Sequence, residues 1–158
     1  MVTLGAKQKE VRLKSGKKVL RKASATKAQL EKKLLGAKSD SVGLRYEQTV
    51  ANYFTHKGWS PRVRVRKYGY EYDLYAEKAD MVSTEYLVVE CKCTGKVSAK
   101  DVVRFIKKVD VLHRHLPEIF FDKPPLYVYL CYSEEIDKDA SAVAKSHRPS
   151  VIPLRIER

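Results

Sequence analysis

The sequence predicts an α/β domain, a mixed sheet with helices on its faces in the order α-β-β-β-α-β-α-β. Three observations carry this. Short apolar or alternating runs are separated by segments whose apolar residues recur at helical spacing. The hydrophobic fraction is 44%, enough for a real core, which argues against global disorder. And 158 residues suit one domain with a modest extension.

The extension comes first. Residues 1–40 hold 12 Lys and Arg against 3 Asp and Glu, so they carry +9 of the formal +13. Two readings stand for them: a small hairpin turning at Ser15-Gly16 with a short helix stopped by Gly36, or a mostly disordered basic arm. The domain proper is expected over residues 41–158. It opens with a helix, "SVGLRYEQTVANYFTHKGW": Leu44, Glu47, Val50, Ala51 and Phe54 recur at helical spacing, and Gly58 is the stop. "RVRVRK" alternates, which predicts a strand with Arg62, Arg64 and Arg66 on one basic face. The next strands are Tyr70–Glu77 and Thr84–Cys93. "SAKDVVRFIKKVDVLHRHL" is the strongest helix. It starts on Ser98-x-x-Asp101, a variant capping box, repeats Val102, Phe105, Ile106, Val109, Leu112 and Leu116, and is followed by Pro117. "LYVYLCY" reads as a buried strand and "EEIDKDASAVAKS" as a helix. "VIPLRIE" closes the sheet, and its Pro153 points to an edge.

A net charge of +13 favours polyanionic partners, nucleic acid being the commonest. Cys91, Cys93 and Cys131 have no metal-ligand spacing and read as reduced core thiols of an intracellular, cytoplasmic protein. There is no signal peptide and no apolar run of about 18 residues, so neither secretion nor a membrane span is expected. Gln8, Gln29, Gln48 and Asn52 are the only side-chain amides, a pattern seen in heat-adapted proteins. His56, His113, His115 and His147 are scattered and read as surface residues.

Charges stand where strand cores should have none. Glu90 and Lys92 lie two apart in the Thr84–Cys93 strand, so they share a face with Tyr86 and Val88 while Leu87, Val89, Cys91 and Cys93 point the other way. A surface ion pair explains such a pair on an edge strand. In a central strand, which Tyr86-Leu87-Val88-Val89 argues for, the pair lies in a cleft or costs desolvation energy. Asp73 belongs to the preceding strand and meets Glu90 if the two strands pair antiparallel. Adjacent carboxylates repel unless a cation sits between them. Hard ions such as Mg²⁺ take such oxygens, and the Cys91 carbonyl offers one more. Lys92 is then placed to orient an attacking water or to stabilise charge on a phosphate.

Asp73, then Glu90-Cys91-Lys92 late in an apolar strand followed by a helix, resembles the PD-(D/E)XK nuclease superfamily. Glu47 in "GLRYEQTVANYFTHKGW" resembles the N-terminal helix glutamate of archaeal Holliday junction resolvases and Mrr-like restriction endonucleases. The resemblance covers residues 41–157 and leaves the extension aside. Tyr72 stands where the superfamily often has proline, and Cys91 where it has an aliphatic residue. The resemblance implies a restriction-endonuclease-like sheet, Mg²⁺ or Mn²⁺ held by Asp73 and Glu90, Lys92 serving the water, and Glu47 as an outer ligand. Glu71, two residues before Asp73, is a rival to Glu47. It further implies a homodimer, since resolving a four-way junction takes two symmetric cuts.

The basic groups fit that expectation. Arg62, Arg64 and Arg66 lead toward the site, and Lys100, Arg104, Lys107, Lys108 and Arg114 lie on the polar side of the long helix. Arg62, Arg64, Arg66, Lys100 and Arg104 are the expected phosphate contacts, with Lys107 and Lys108 equally readable as a solvated face. The expected activity is a metal-dependent DNA endonuclease, on branched DNA first. The rivals are a restriction or mobile-element nuclease on duplex DNA, and a nucleic-acid-binding module with the same fold but no turnover.

Overall fold

The computed structural model describes residues 40–118 and 122–158. The hairpin and short helix expected within the extension lie outside them. Helix α1 occupies residues 40–56. Its stop is a Schellman turn: Gly58 takes φ 83°, its N–H donates to the Thr55 carbonyl, and the Trp59 N–H donates to the Phe54 carbonyl.

Strands β1 (Arg62–Lys67), β2 (Tyr70–Ala79) and β3 (Thr84–Lys92) follow as antiparallel hairpins. Helix α2 (Ala99–His115) then crosses over to β5 (Leu126–Tyr132), and α3 (Lys138–Ser146) crosses to β7 (Val151–Arg155); both joins are parallel. The sheet order is β1-β2-β3-β5-β7. So β3 is central, and β7 with its Pro153 is an edge, as the sequence predicts.

Two short strands, β4 (Lys96–Val97) and β6 (Glu135–Ile136), pair in parallel beyond the ends of β3 and β5. They correct one expectation: Glu135 and Ile136 are strand, and α3 starts only at Lys138. Two-residue strands are too short to show a period.

Both faces of β3 are covered by helices, as the sequence predicts for the sheet. Tyr86 and Val88 pack with Val102, Phe105, Val109 and Leu112 of α2 and with Ala140 and Ala144 of α3. Leu87 and Val89 pack under Tyr46, Val50, Ala51 and Phe54 of α1. The capping box that starts α2 is formed: Ser98 and the Asp101 backbone and side chain bond reciprocally.

A second correction is the basic face of β1. Val63 packs with the α1-side core and Val65 with the α2-side core, so the alternation breaks between them. The break coincides with Arg64 at φ 53°, a left-handed conformation that costs a non-glycine residue about 1–3 kcal/mol. Arg62, Arg64 and Arg66 therefore do not form a single row. Arg62 lies over the Tyr75 ring, Arg64 turns to α1, and Arg66 pairs with Glu71.

Among the described residues no helix is long and apolar enough to cross a membrane. Cys131 is fully buried, and Cys91 and Cys93 are half-buried on the α1 side; all three are free thiols. His147 is not a surface residue, because its ring is held between the Pro149 carbonyl and Asp110 with 17% of the side chain exposed.

Candidate active site

The site grows from a mismatch in the β2–β3 ladder. The strands pair from Ala79 opposite Thr84 to Leu74 opposite Val89. One residue further is Asp73, whose Oδ2 accepts the Cys91 N–H at 2.6 Å. A side-chain carboxylate there takes a bond that a ladder carbonyl would otherwise receive. The β2 alternation also breaks here, since Tyr72 packs on the α2 side while Leu74 packs on the α1 side. Asp73 is thereby turned into a cavity of about 250 Å³.

That cavity is lined by Glu47, Asp73, Glu90, Cys91, Lys92, Val97, Asp101, Arg104 and Leu130. It brings together the acidic and lysine residues singled out in the sequence, with Arg104 of the basic set. Glu71 is not among them; it lies exposed and pairs with Arg66 at 3.0 Å. Arg62, Arg66 and the exposed Lys100 also lie outside the lining.

Each carboxylate has a distinct partner. Glu47, only 7% exposed, takes two bonds from Arg64, Nε at 2.9 Å and a terminal nitrogen at 3.2 Å. The left-handed turn at Arg64 is what brings its guanidinium to α1. Glu90 is held by Lys108 Nζ at 2.7 and 3.1 Å. Asp101 receives Lys92 Nζ at 3.3 Å, and its own cap bonds to Ser98 help hold its acid down at about 2.

Asp73 differs in that its hydrogen-bond donor is an uncharged amide. Its acid is pushed up to about 7, first by burial and next by the Glu90 charge, with Glu47 adding to the rise. The Cys91 N–H and Lys108 oppose the rise without cancelling it. The Cys91 thiol is also raised, chiefly by burial, and is no nucleophile at neutral pH.

Lys108 is the residue that sequence reasoning missed. Its place on the polar side of α2 reads equally well as a solvated face, yet only 17% of its side chain is exposed. Besides Glu90 its ammonium donates to the Glu71 carbonyl at 3.1 Å, while the Tyr72 hydroxyl donates to the Lys108 carbonyl at 2.9 Å. Its position one α2 turn beyond Arg104 is the signal that could have found it.

The donor chemistry suits a hard divalent cation, because Glu47, Asp73 and Glu90 line one cavity and the charges of Glu90 and Glu47 help raise the Asp73 acid. Among the described residues, however, no three His, Cys, Asp or Glu side chains form a group ready to hold a metal ion. Lys108 instead engages Glu90, and Arg64 engages Glu47. A cation held by Glu90 would compete there with the Lys108 ammonium. No family model, curated protein or solved structure matches the chain.

Proposed function

We propose that this protein is a metal-dependent DNA endonuclease of the PD-(D/E)XK type, acting on branched DNA. The observation that carries the reading is the cavity beside central strand β3 in which Glu47, Asp73, Glu90, Lys92 and Arg104 meet. Asp73 and Glu90 would hold Mg²⁺ or Mn²⁺, with the Cys91 carbonyl as a further oxygen and Glu47 outside them. Bound there, the ion supplies a Lewis acid that neutralises charge developing on the phosphate. Lys92, which lines the same cavity and is paired with Asp101, would orient the attacking water. Arg104 and the exposed Lys100 contact flanking phosphates without reading sequence. A two-fold homodimer supplies the paired cuts that a four-way junction needs.

A second reading has an observation of its own. Lys108 and Arg64 already neutralise Glu90 and Glu47, as they would in a binding module that has lost turnover. One experiment separates the readings: the full chain is incubated with Mg²⁺ or Mn²⁺ and labelled four-way, flap, nicked, duplex and single-stranded DNA. Cleavage that stops in excess chelator supports the enzyme. Binding without cleavage on every substrate supports the module, and a preference for intact duplex supports a restriction or mobile-element nuclease.

The extension has a separate expected effect. Residues 1–40 carry +9, and each duplex phosphate neutralised contributes about 0.9 to the log–log salt slope of binding. A chain starting at Ser41 should bind more weakly at low salt, with a shallower slope, and still cleave at saturating DNA. An unchanged slope means that the extension makes no phosphate contacts.

A further inference from the structure

The β1–β2 turn is unlike the rest of the surface. Lys67 and Tyr70 are its closing pair, and the two residues between them, Tyr68 and Gly69, take φ 51° and 81°. These left-handed values match the tight two-residue hairpin turn. Such a turn is rigid, and here it displays two aromatic rings: Tyr68 is 46% and Tyr70 is 38% exposed. Tyr68 stacks on His115 at the end of α2, ring centroids 4.2 Å apart and planes 19° from parallel. The α2 end is basic, with His113 and Arg114 beside His115. Arg66 and Lys67, paired with Glu71 and Glu77, flank the rings on the hairpin, around a shallow groove of about 470 Å³ that Glu71 also lines.

The turn is also tied to the cavity. Lys108 holds Glu90 with the same ammonium that it donates to the carbonyl of Glu71, next to Tyr70. Three residues of strand, about 10 Å, separate Tyr70 from Asp73. The hairpin turn and the acidic site thus share one strand, β2.

We infer that Tyr68 and Tyr70 form a stacking platform for an unpaired nucleobase, so that the protein engages DNA where pairing is interrupted. A ring face takes any base, while the surrounding cations take the backbone; exposed aromatics among basic residues are the usual means of holding unpaired strands. A fully paired duplex keeps its bases stacked internally and offers such rings nothing. The inference rests on the nuclease reading for its DNA partner but assigns a different surface and a different selectivity.

The test uses the full chain in chelator, so that cleavage does not intrude. Binding is compared for a duplex and for the same duplex with a short gap carrying 2-aminopurine in the unpaired strand. The wild type should bind the gapped DNA more tightly and quench the 2-aminopurine. The double variant Tyr68→Ala, Tyr70→Ala should lose the quenching and bind gapped DNA about 10-fold more weakly, with duplex affinity within about twofold. The corresponding Phe double variant should restore both. Equal wild-type affinity for the two DNAs without quenching overturns the platform and leaves the nuclease reading standing. No DNA binding at all overturns both. An Ala variant that binds gapped DNA normally but shifts a dimer to monomer in sedimentation makes the rings a protein contact and overturns the inference.

Discussion

Asp73→Asn should be inactive in cleavage and yet more stable than the wild type at neutral pH. Burial and the Glu90 charge raise the Asp73 acid from its ordinary 3.8 to about 7 in the folded chain. Between those values the folded chain keeps a proton that the unfolded chain has lost. Stability therefore falls as pH rises from about 4, and the loss is complete above about 7. A tenfold difference in acidity between the two states corresponds to about 1.4 kcal/mol. Coupling to Glu90 and residual solvation reduce the total, so a cost of about 2 kcal/mol is expected at pH 8. Asparagine removes the charge and keeps an oxygen for the Cys91 N–H. Denaturant unfolding in chelator, from about pH 4 to pH 8, should show the variant pulling ahead as pH rises. A gap that is the same at both ends would mean that Asp73 is ionised throughout.

Lys108→Met should have the opposite sign and a different cure. Methionine keeps most of the apolar stem but leaves Glu90, whose side chain is 24% exposed, without its ammonium. Removing one member of a fully buried pair costs about 3–5 kcal/mol; with partial exposure about 2 kcal/mol is expected here. If a divalent ion takes the place of Lys108 on Glu90, Mg²⁺ or Mn²⁺ should return most of that loss. The thermal midpoint of the variant should then rise more on adding metal than that of the wild type. Equal responses in the two proteins would place the ion elsewhere or deny it altogether.

The contrast between Asp73 and Lys108 marks how far the sequence can be read. Helices α1 and α2 are legible because each has a long apolar period and a recognisable end, Gly58 in one and Ser98-x-x-Asp101 in the other. Strand β3 is legible as central from its apolar run. The meeting of Asp73 with Glu90 is legible because hairpin pairing is local. Arg64 on Glu47 is not, since it depends on a left-handed residue that strict alternation forbids. Lys108 is hidden for another reason. Its partner is 18 residues away on another element, and a lysine on a polar helix face looks the same whether it meets water or a carboxylate. Strands β4 and β6 carry too few residues to show any pattern.

The two ends of the sheet constrain how copies of the chain can join. Strand β7 is five residues long, and Pro153 within it has no N–H to offer. Strand β1 is crossed by the left-handed turn at Arg64 and presents Arg62, Arg66 and Lys67. Long charged side chains and a broken alternation along an edge disfavour strand pairing there. Both borders thus resist continuation of the sheet into a second molecule, which also guards the chain against edge-driven aggregation. Among the described residues, a symmetric pair of subunits would then join through helices or turns. In the nuclease reading, that contact rather than a shared sheet would space the two cavities, and with them the two cuts.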